Sequence, residues 1–512
     1  MAPGDELTGR SGSPTQGPRG DQSSRGLPPP GVQPFADAQP PNPGLDPVAG
    51  RRHGLPQGFF ARLHEKIELG LFAPSPIAPL VYFRIIFGAI ALWEVTLHFK
   101  YGWIQAYYVV PEFFFTYVGL PWIQPWSGNL MYVHFLALGI LAVFIILGLW
   151  YRVSTTLFFV GFTYVFLIDQ ANYLNHFYLF AWVSFLLILT PAHRSASLDV
   201  MRRPELRAAT VPAFHRWLLC AIVGIPYFFG GVAKINGDWL RGEPARIWMT
   251  EWTHFPVVGS FFAQPWAPYV FSYSGILFDL FVVPLLIWRR TRVLAVLMVI
   301  AFNLANANLF SIGLFPWFML LATPIFFDPR RLEPILRFER LFGDPVPTKA
   351  ALETPDRHKR VVMALLAMFA AFHILMPLRH HLYPGDVKWT EEGMYFSWHM
   401  LVRAKAGRLA IVATDSVSGE SWVIDQRRYL TRRQQTKMVR SPNMIVLFAH
   451  YLGEELREEG HQNVGIHAVT ESSLNGRPLQ RMIDPTIDLT QVNRSLLHDP
   501  WILDLETPLP GR

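Results

Sequence analysis

A chain of 512 residues with 51% apolar and only 16% charged side chains is too poor in charge for an ordinary soluble protein, which carries nearer a quarter. Its net charge of +7 does not mark a nucleic-acid binder, because Lys and Arg fall between apolar segments instead of gathering in one basic domain. A single cysteine, Cys220, excludes an intrachain disulfide and a cysteine-ligated metal cluster.

Residues 1–57 are rich in Pro, Gly, Ser and Gln without an apolar period and read as a disordered tail. No basic start followed by an apolar core marks a signal peptide. Residues 59–72 suit an interfacial amphipathic helix. Apolar segments follow at 77–98, 129–150, 154–168, 176–191, 213–233, 268–288, 292–307, 313–327 and 360–377. They predict a polytopic all-α membrane domain over 58–378 with about nine apolar helices, several shorter than the roughly 20 residues of an upright span. The stretch 292–327 is too long for one span. Its middle, Asn303-Leu-Ala-Asn306-Ala-Asn308, is too polar for lipid, and Pro316 interrupts it. It reads as a broken or re-entrant pair whose polar backbone lines a protein-walled cavity.

Basic residues cluster before the first segment (Arg51, Arg52, Arg62, Lys66), after the second (Arg152), after the fourth (Arg194, Arg202, Arg203, Arg207), after the sixth (Arg289, Arg290, Arg292) and before the last. The positive-inside rule then puts the N-terminus in the cytoplasm and the last segment's product on the extracytoplasmic side. That product, 379–512, reads as an α+β domain. Segments 408–414 and 420–425 form a hairpin, a helix runs from about 442 to 459, and 464–470 with 479–483 form a second hairpin around Asn475-Gly476.

One charge stands out. Lys234 closes the apolar run from Ala213 and is followed by Asn236, Asp238 and Trp239. An ionisable residue at membrane depth marks a functional site, with snorkelling to the headgroups as the bland alternative. An amine freed of its proton in an apolar cavity can serve as a base. By the predicted orientation, the loop 169–176 with His176 and the asparagine turn share that outer face, and His176 is a second acid–base group or an oxyanion donor. Gly230-Gly231 suits close helix packing. His380-His381 lacks zinc-ligand spacing, and no metal is expected.

Five stretches, in order over residues 60–505, resemble vitamin K-dependent γ-glutamyl carboxylases and related bacterial membrane proteins with the horizontally transferred transmembrane domain. They are Asn175-His-Phe-Tyr-Leu179, Gly230-Gly-Val-Ala-Lys-Ile-Asn-Gly-Asp-Trp-Leu-Arg-Gly242, Asn308-Leu-Phe-Ser-Ile-Gly-Leu-Phe-Pro316, Trp389-Thr-Glu-Glu-Gly-Met-Tyr-Phe-Ser-Trp398 and Gln480-Arg-Met-Ile-Asp-Pro485. The resemblance implies that reduced vitamin K or menaquinol is the cofactor, with O₂ and CO₂ as co-substrates and a glutamate-containing peptide or protein as partner. Lys234 would deprotonate the quinol. The oxygenated ring would then become a base strong enough to remove a glutamate γ-proton in a cavity shielded from water, and the carbanion would capture CO₂.

The same resemblance makes Lys234, His176 and Asn303 catalytic. Asn306, Asn308, Phe310 and Ser311 would contact the quinone, while Trp389, Tyr395, Trp398, His399 and Arg481 would hold the peptide. The chain departs from the animal enzymes in having Ala233-Lys234 where they have paired lysines, and Asn303 where they have a histidine. An Asn donates a hydrogen bond but carries no proton, so a quinol epoxidase without carboxylation is one alternative reading. A membrane transporter or lipid-binding protein is another, although no internal repeat of the kind transporters show is visible.

Overall fold

The computed structural model describes residues 59–310, 312–334 and 355–510. Ten helices organise the first part: α1 (Phe59–Phe72), α2 (Ala78–Lys100), α3 (Leu130–Leu147), α4 (Tyr151–Ile168), α5 (Asn175–Leu189), α6 (Phe214–Lys234), α7 (Ala267–Ile287), α8 (Arg292–Leu309), α9 (Phe315–Ala322) and α10 (Asp356–Leu378). Among the described residues, α2, α3, α4, α6, α7, α8 and α10 are long and apolar enough to cross a membrane, whereas α5 and the run Phe315–Phe326 are apolar but shorter. The apolar segments of the sequence therefore divide into seven long helices and two short ones.

Local chemistry sets their ends. Gly148, at φ 62°, stops α3 as its own N–H and that of Leu149 cover the carbonyls of Ile145 and Phe144, which is what a left-handed C-terminal glycine supplies. A two-stranded ribbon, β1 (Pro74–Pro76) with β2 (Thr210–Pro212), joins the lead-ins of α2 and α6. Within the bundle, α2 packs on α3, α4 on α5, and α6 on α7. Fully buried phenylalanines mesh edge to face between them, Phe87 with Phe158 and Phe180 at 5.7 Å and Phe180 with Phe318 at 5.0 Å. The opposite faces stay apolar and uncovered, as at Val133, Leu136 and Ile140 of α3, Val293, Leu294 and Leu297 of α8, and Val361, Leu365 and Met368 of α10. Uncovered apolar area of this extent has lipid as its solvent.

Two expectations need correction. The 292–327 region is a broken helix pair, but the asparagines are not its turn, because Asn303, Asn306 and Asn308 occupy the last turns of α8. Asn303 and Asn308 remain helical by donating back to the carbonyls of Val299 and Leu304 at 2.9 and 2.7 Å, which satisfies their amides locally. The chain breaks instead at Gly313, φ 63°, just ahead of Pro316 in the first turn of α9.

The second correction lies in the C-terminal part. There β3 (Lys405–Asp415) lies between β4 (Ser421–Val423) and β5 (Val464–Leu474), all antiparallel, with Lys405 opposite Leu474 and Asp415 opposite Val464. A short helix α11 (Arg432–Met438) and the longer α12 (Pro442–Glu458) complete the layer, α12 burying Ile445, Phe448, Ala449 and Leu452 against β5. So β5 pairs with β3, not with residues 479–483. Beyond the turn at Asn475 and Gly476 (φ 54° and 79°), β5 and the 479–483 stretch share, among the described residues, the single bridge Ser472–Gln480, and Ile483 bridges instead to Ile502. The chain peels away because the Thr470 hydroxyl takes the N–H groups of Met482 and Ile483, while Gln480 donates to Asp504.

Candidate functional site

Glycine brings the site together. A Cβ on Gly231 would lie 2.9 Å from the Leu280 side chain and 3.1 Å from the Asp279 Cβ, so a bare backbone lets α6 approach α7 closely. That approach sets Lys234, the last residue of α6, against Asp279 in the middle of α7. Lys234 Nζ lies 2.6 Å from Asp279 Oδ2 with both side chains buried, donates to the Gly230 carbonyl at 3.3 Å, and stands 5.5 Å from the Trp239 ring centroid. Lys234 therefore does not snorkel; its amine is buried against a carboxylate of its own. Two charges out of water persist only when paired and hydrogen-bonded in this way.

The residues after Lys234 hold it in place. Asn236 caps the next turn, accepting from Trp239 N at 3.1 Å, and the Trp239 indole donates to Ser272 O at 2.8 Å. Asp238 receives both terminal nitrogens of Arg477 at 2.7 Å and Asn475 Nδ2 at 2.8 Å. The turn after β5 is thereby fastened beside the end of α6.

A cavity of about 470 Å³ opens at the pair, lined in part by Lys234, Asp279, His176, Asn303, Asn306 and His399. His176, in the first turn of α5, lies between Phe177 and Phe315 at 4.8 and 6.0 Å. Its ring makes no hydrogen bond among the described residues, so it is not tied to a loop carbonyl and its nitrogens are free for a ligand. Asn303 is committed to Val299 O and reaches the Tyr227 hydroxyl at 3.5 Å. From the C-terminal part, Arg433 and Lys437 also line this space, with Arg433 bonded to Asn172 at 2.9 Å.

A second cavity of about 180 Å³ adjoins it, sharing Asn175, His399 and Lys437 and adding Tyr395, Arg403, Lys405 and Arg440. Burial, reinforced by His380, Arg403 and Lys388, drives the His399 pKa down to about 3. It is a neutral imidazole whose Nδ1 makes no hydrogen bond among the described residues. Burial likewise lowers Lys405 to about 7 and Lys437 to about 8. The stretch that shapes this second cavity is strained: Glu391, Phe396, Trp398 and Leu401 all have φ between 52° and 65°, a left-handed conformation that costs L-residues energy and clusters at functional sites.

The structure separates the other candidates. Asn308 is exposed on α8, and Phe310 packs on Trp248 and Trp252 at 5.2 and 5.1 Å, away from the cavity. Ser311 lies outside the described residues. Trp389 is fully buried and donates to Leu503 O at 2.7 Å, and Trp398 is fully buried against Tyr178 at 5.1 Å. Both are core. Arg481 is exposed and lines neither cavity. Sequence reasoning missed Asp279, although a lone carboxylate inside the apolar run 268–288 carries the same signal as Lys234. It also missed Glu94 in the first segment and the basic group Arg403, Lys405, Lys437 and Arg440.

Fold and site together define a polytopic membrane protein with a buried acid–base cavity roofed by an α+β domain. Residues 72–330 match the family described as HTTM domain, and residues 358–508 match the vitamin K-dependent gamma-carboxylase, lumenal domain. The chain belongs to the vitamin K-dependent γ-glutamyl carboxylase family. No solved structure matches it.

Proposed function

We propose that the protein oxidises reduced vitamin K, or a menaquinol, to its epoxide and couples this to carboxylation of a glutamate in a peptide or protein. The buried Lys234–Asp279 pair on a cavity large enough for a ring system carries this reading. Asp279 holds the amine at the wall and can share its proton, leaving a neutral amine that accepts a proton from a bound hydroquinone. The bound hydroquinone supplies reaction with O₂. His176, unpartnered in the same wall, donates to developing negative charge. The walls of phenylalanine and tryptophan keep water from the base.

In this reading the C-terminal domain, residues 379–512, faces the extracytoplasmic side with the N-terminus in the cytoplasm, and it presents the peptide. Tyr395 and His399 lie where a glutamate side chain would enter, beside the basic second cavity.

Asn303 supports a narrower reading, quinol epoxidation alone, because its amide is already satisfied by Val299 O and carries no exchangeable charge. One assay separates the two: purified protein, reduced vitamin K, labelled bicarbonate and a glutamate-rich peptide, with epoxide and incorporated label followed separately. Both products are expected. Epoxide without label establishes the narrower reading, and neither product from folded, quinol-binding protein sinks both. Lys234→Ala abolishes epoxide formation, and a small exogenous amine restores part of it. Full activity in that variant removes Lys234 as the base.

A further inference from the structure

We infer that the cavity carries a second acid–base pair, Glu94–His98, that receives the hydroxyl of a bound hydroquinone which Lys234 does not serve. This rests on the quinol-oxidising reading above. Glu94 and His98 stand one turn apart on α2, with side chains 8% and 5% exposed and Oε1 3.5 Å from Nδ1. Both line the same cavity as Lys234 and Asp279. His98 Nδ1 bonds its own helix at Glu94 O, 3.0 Å away. A carbonyl can only accept, so Nδ1 bears the proton and Nε2 keeps its lone pair. Phe135 stacks on the imidazole at 4.8 Å and Trp103 closes its edge at 5.3 Å.

The carboxylate of Glu94 accepts no hydrogen bond from any described residue, and beside it stands the imidazole of His98. A carboxylate placed this way inside an apolar helix weakens the fold, since an aliphatic side chain would pack there at lower free energy. What Glu94 lacks is a donor, and the cavity is where a donor would arrive.

The chemistry calls for one. Converting a hydroquinone and O₂ to a quinone epoxide and water removes two hydroxyl protons and four electrons from the ring. One oxygen atom enters the epoxide, and the other leaves as water carrying both protons. The two hydroxyls of a 1,4-hydroquinone point in opposite directions, so an acceptor at one wall reaches only one of them. Lys234 with Asp279 takes the first proton, and Glu94 takes the second and returns it to the departing water. His98, with Nδ1 3.5 Å from Oε1, is a positioning residue that confines the Glu94 carboxylate.

The test measures binding without turnover. Purified full-length protein, kept free of oxygen, is titrated with reduced vitamin K, with the oxidised quinone and with each mono-O-methyl ether of the reduced form, following tryptophan fluorescence. The wild type binds the diol about tenfold or more tightly than the quinone or either ether, the scale of a hydrogen bond to a charged acceptor. Glu94→Leu raises the diol's Kd by about tenfold and leaves the quinone's unchanged. The inference is overturned if either ether binds the wild type like the diol, if Glu94→Leu moves diol and quinone alike, or if no form binds. The ether comparison needs only the wild type, so it decides the matter even where the variant does not fold. Because oxygen is absent, a failure of epoxide formation in the turnover assay counts against the enzymatic reading while these Kd differences stand or fall separately.

Discussion

At the scale of single residues, the partner of Lys234 matters as much as Lys234 itself. Asp279→Asn leaves a buried ammonium unpaired and is expected to lower stability by about 3–5 kcal/mol, read as a fall in melting temperature in detergent, with epoxide formation lost. The double variant Lys234→Met, Asp279→Leu recovers most of the stability and none of the activity; a double variant as unstable as Asp279→Asn refutes the pairing. Lys405 makes a second prediction. Burial holds its folded pKa near 7 against an ordinary 10.5, so between those values the unfolded chain binds the extra proton. Stability therefore rises as pH goes from about 7 towards 10. Lys405→Met, which never carries that proton, flattens this part of the curve measured by thermal unfolding; an unchanged slope locates the titration elsewhere. Lys234 was legible in the sequence because it ends an apolar run. Asp279 and Glu94 carry the same signal inside their runs, but only the packing of α6 on α7 and the cavity beside α2 show what they face.

At the scale of elements, glycine at 231 decides how closely two helices meet. Gly231→Val inserts a branched side chain where even a Cβ touches Leu280 and Asp279. The expected cost is about 1–3 kcal/mol of overpacking, with epoxidation falling further than stability as Asp279 is pushed from Lys234. An active, equally stable variant shows that the helices have room. Helix geometry also explains why motif order misled. The stretch Asn308–Pro316 leaves α8 after Leu309 and is extended at Phe310, while along α8 itself 3.6 residues per turn send neighbouring side chains in different directions. Asn303 and Asn306 therefore reach the cavity, while Asn308 faces outward and Phe310 joins a separate aromatic cluster. The strand β3 and helix α12 were legible from alternation and helical spacing. The partner of β5 was not, because register depends on the distant β3.

Across the whole molecule, one connection spans the helical part and the C-terminal domain close to Lys234. Arg477 and Asn475 close on Asp238, four residues past Lys234. Arg477→Ala removes the charge partner of a mostly buried carboxylate and is expected to destabilise by about 3 kcal/mol. Proteolysis of the C-terminal domain becomes faster and the KM for peptide rises; a variant as resistant as the wild type rules out the tie as a fastening. Arg477 lies 239 residues after Asp238, so during synthesis all seven long apolar helices leave the ribosome before the partner exists. Until then the turn beyond the lysine is fastened only within the helical part, through Asn236 and the Trp239–Ser272 bond, and Asp238 waits for its partner. The tie therefore times assembly: the turn after Lys234 gains its last brace only when the C-terminal domain has been made and folded.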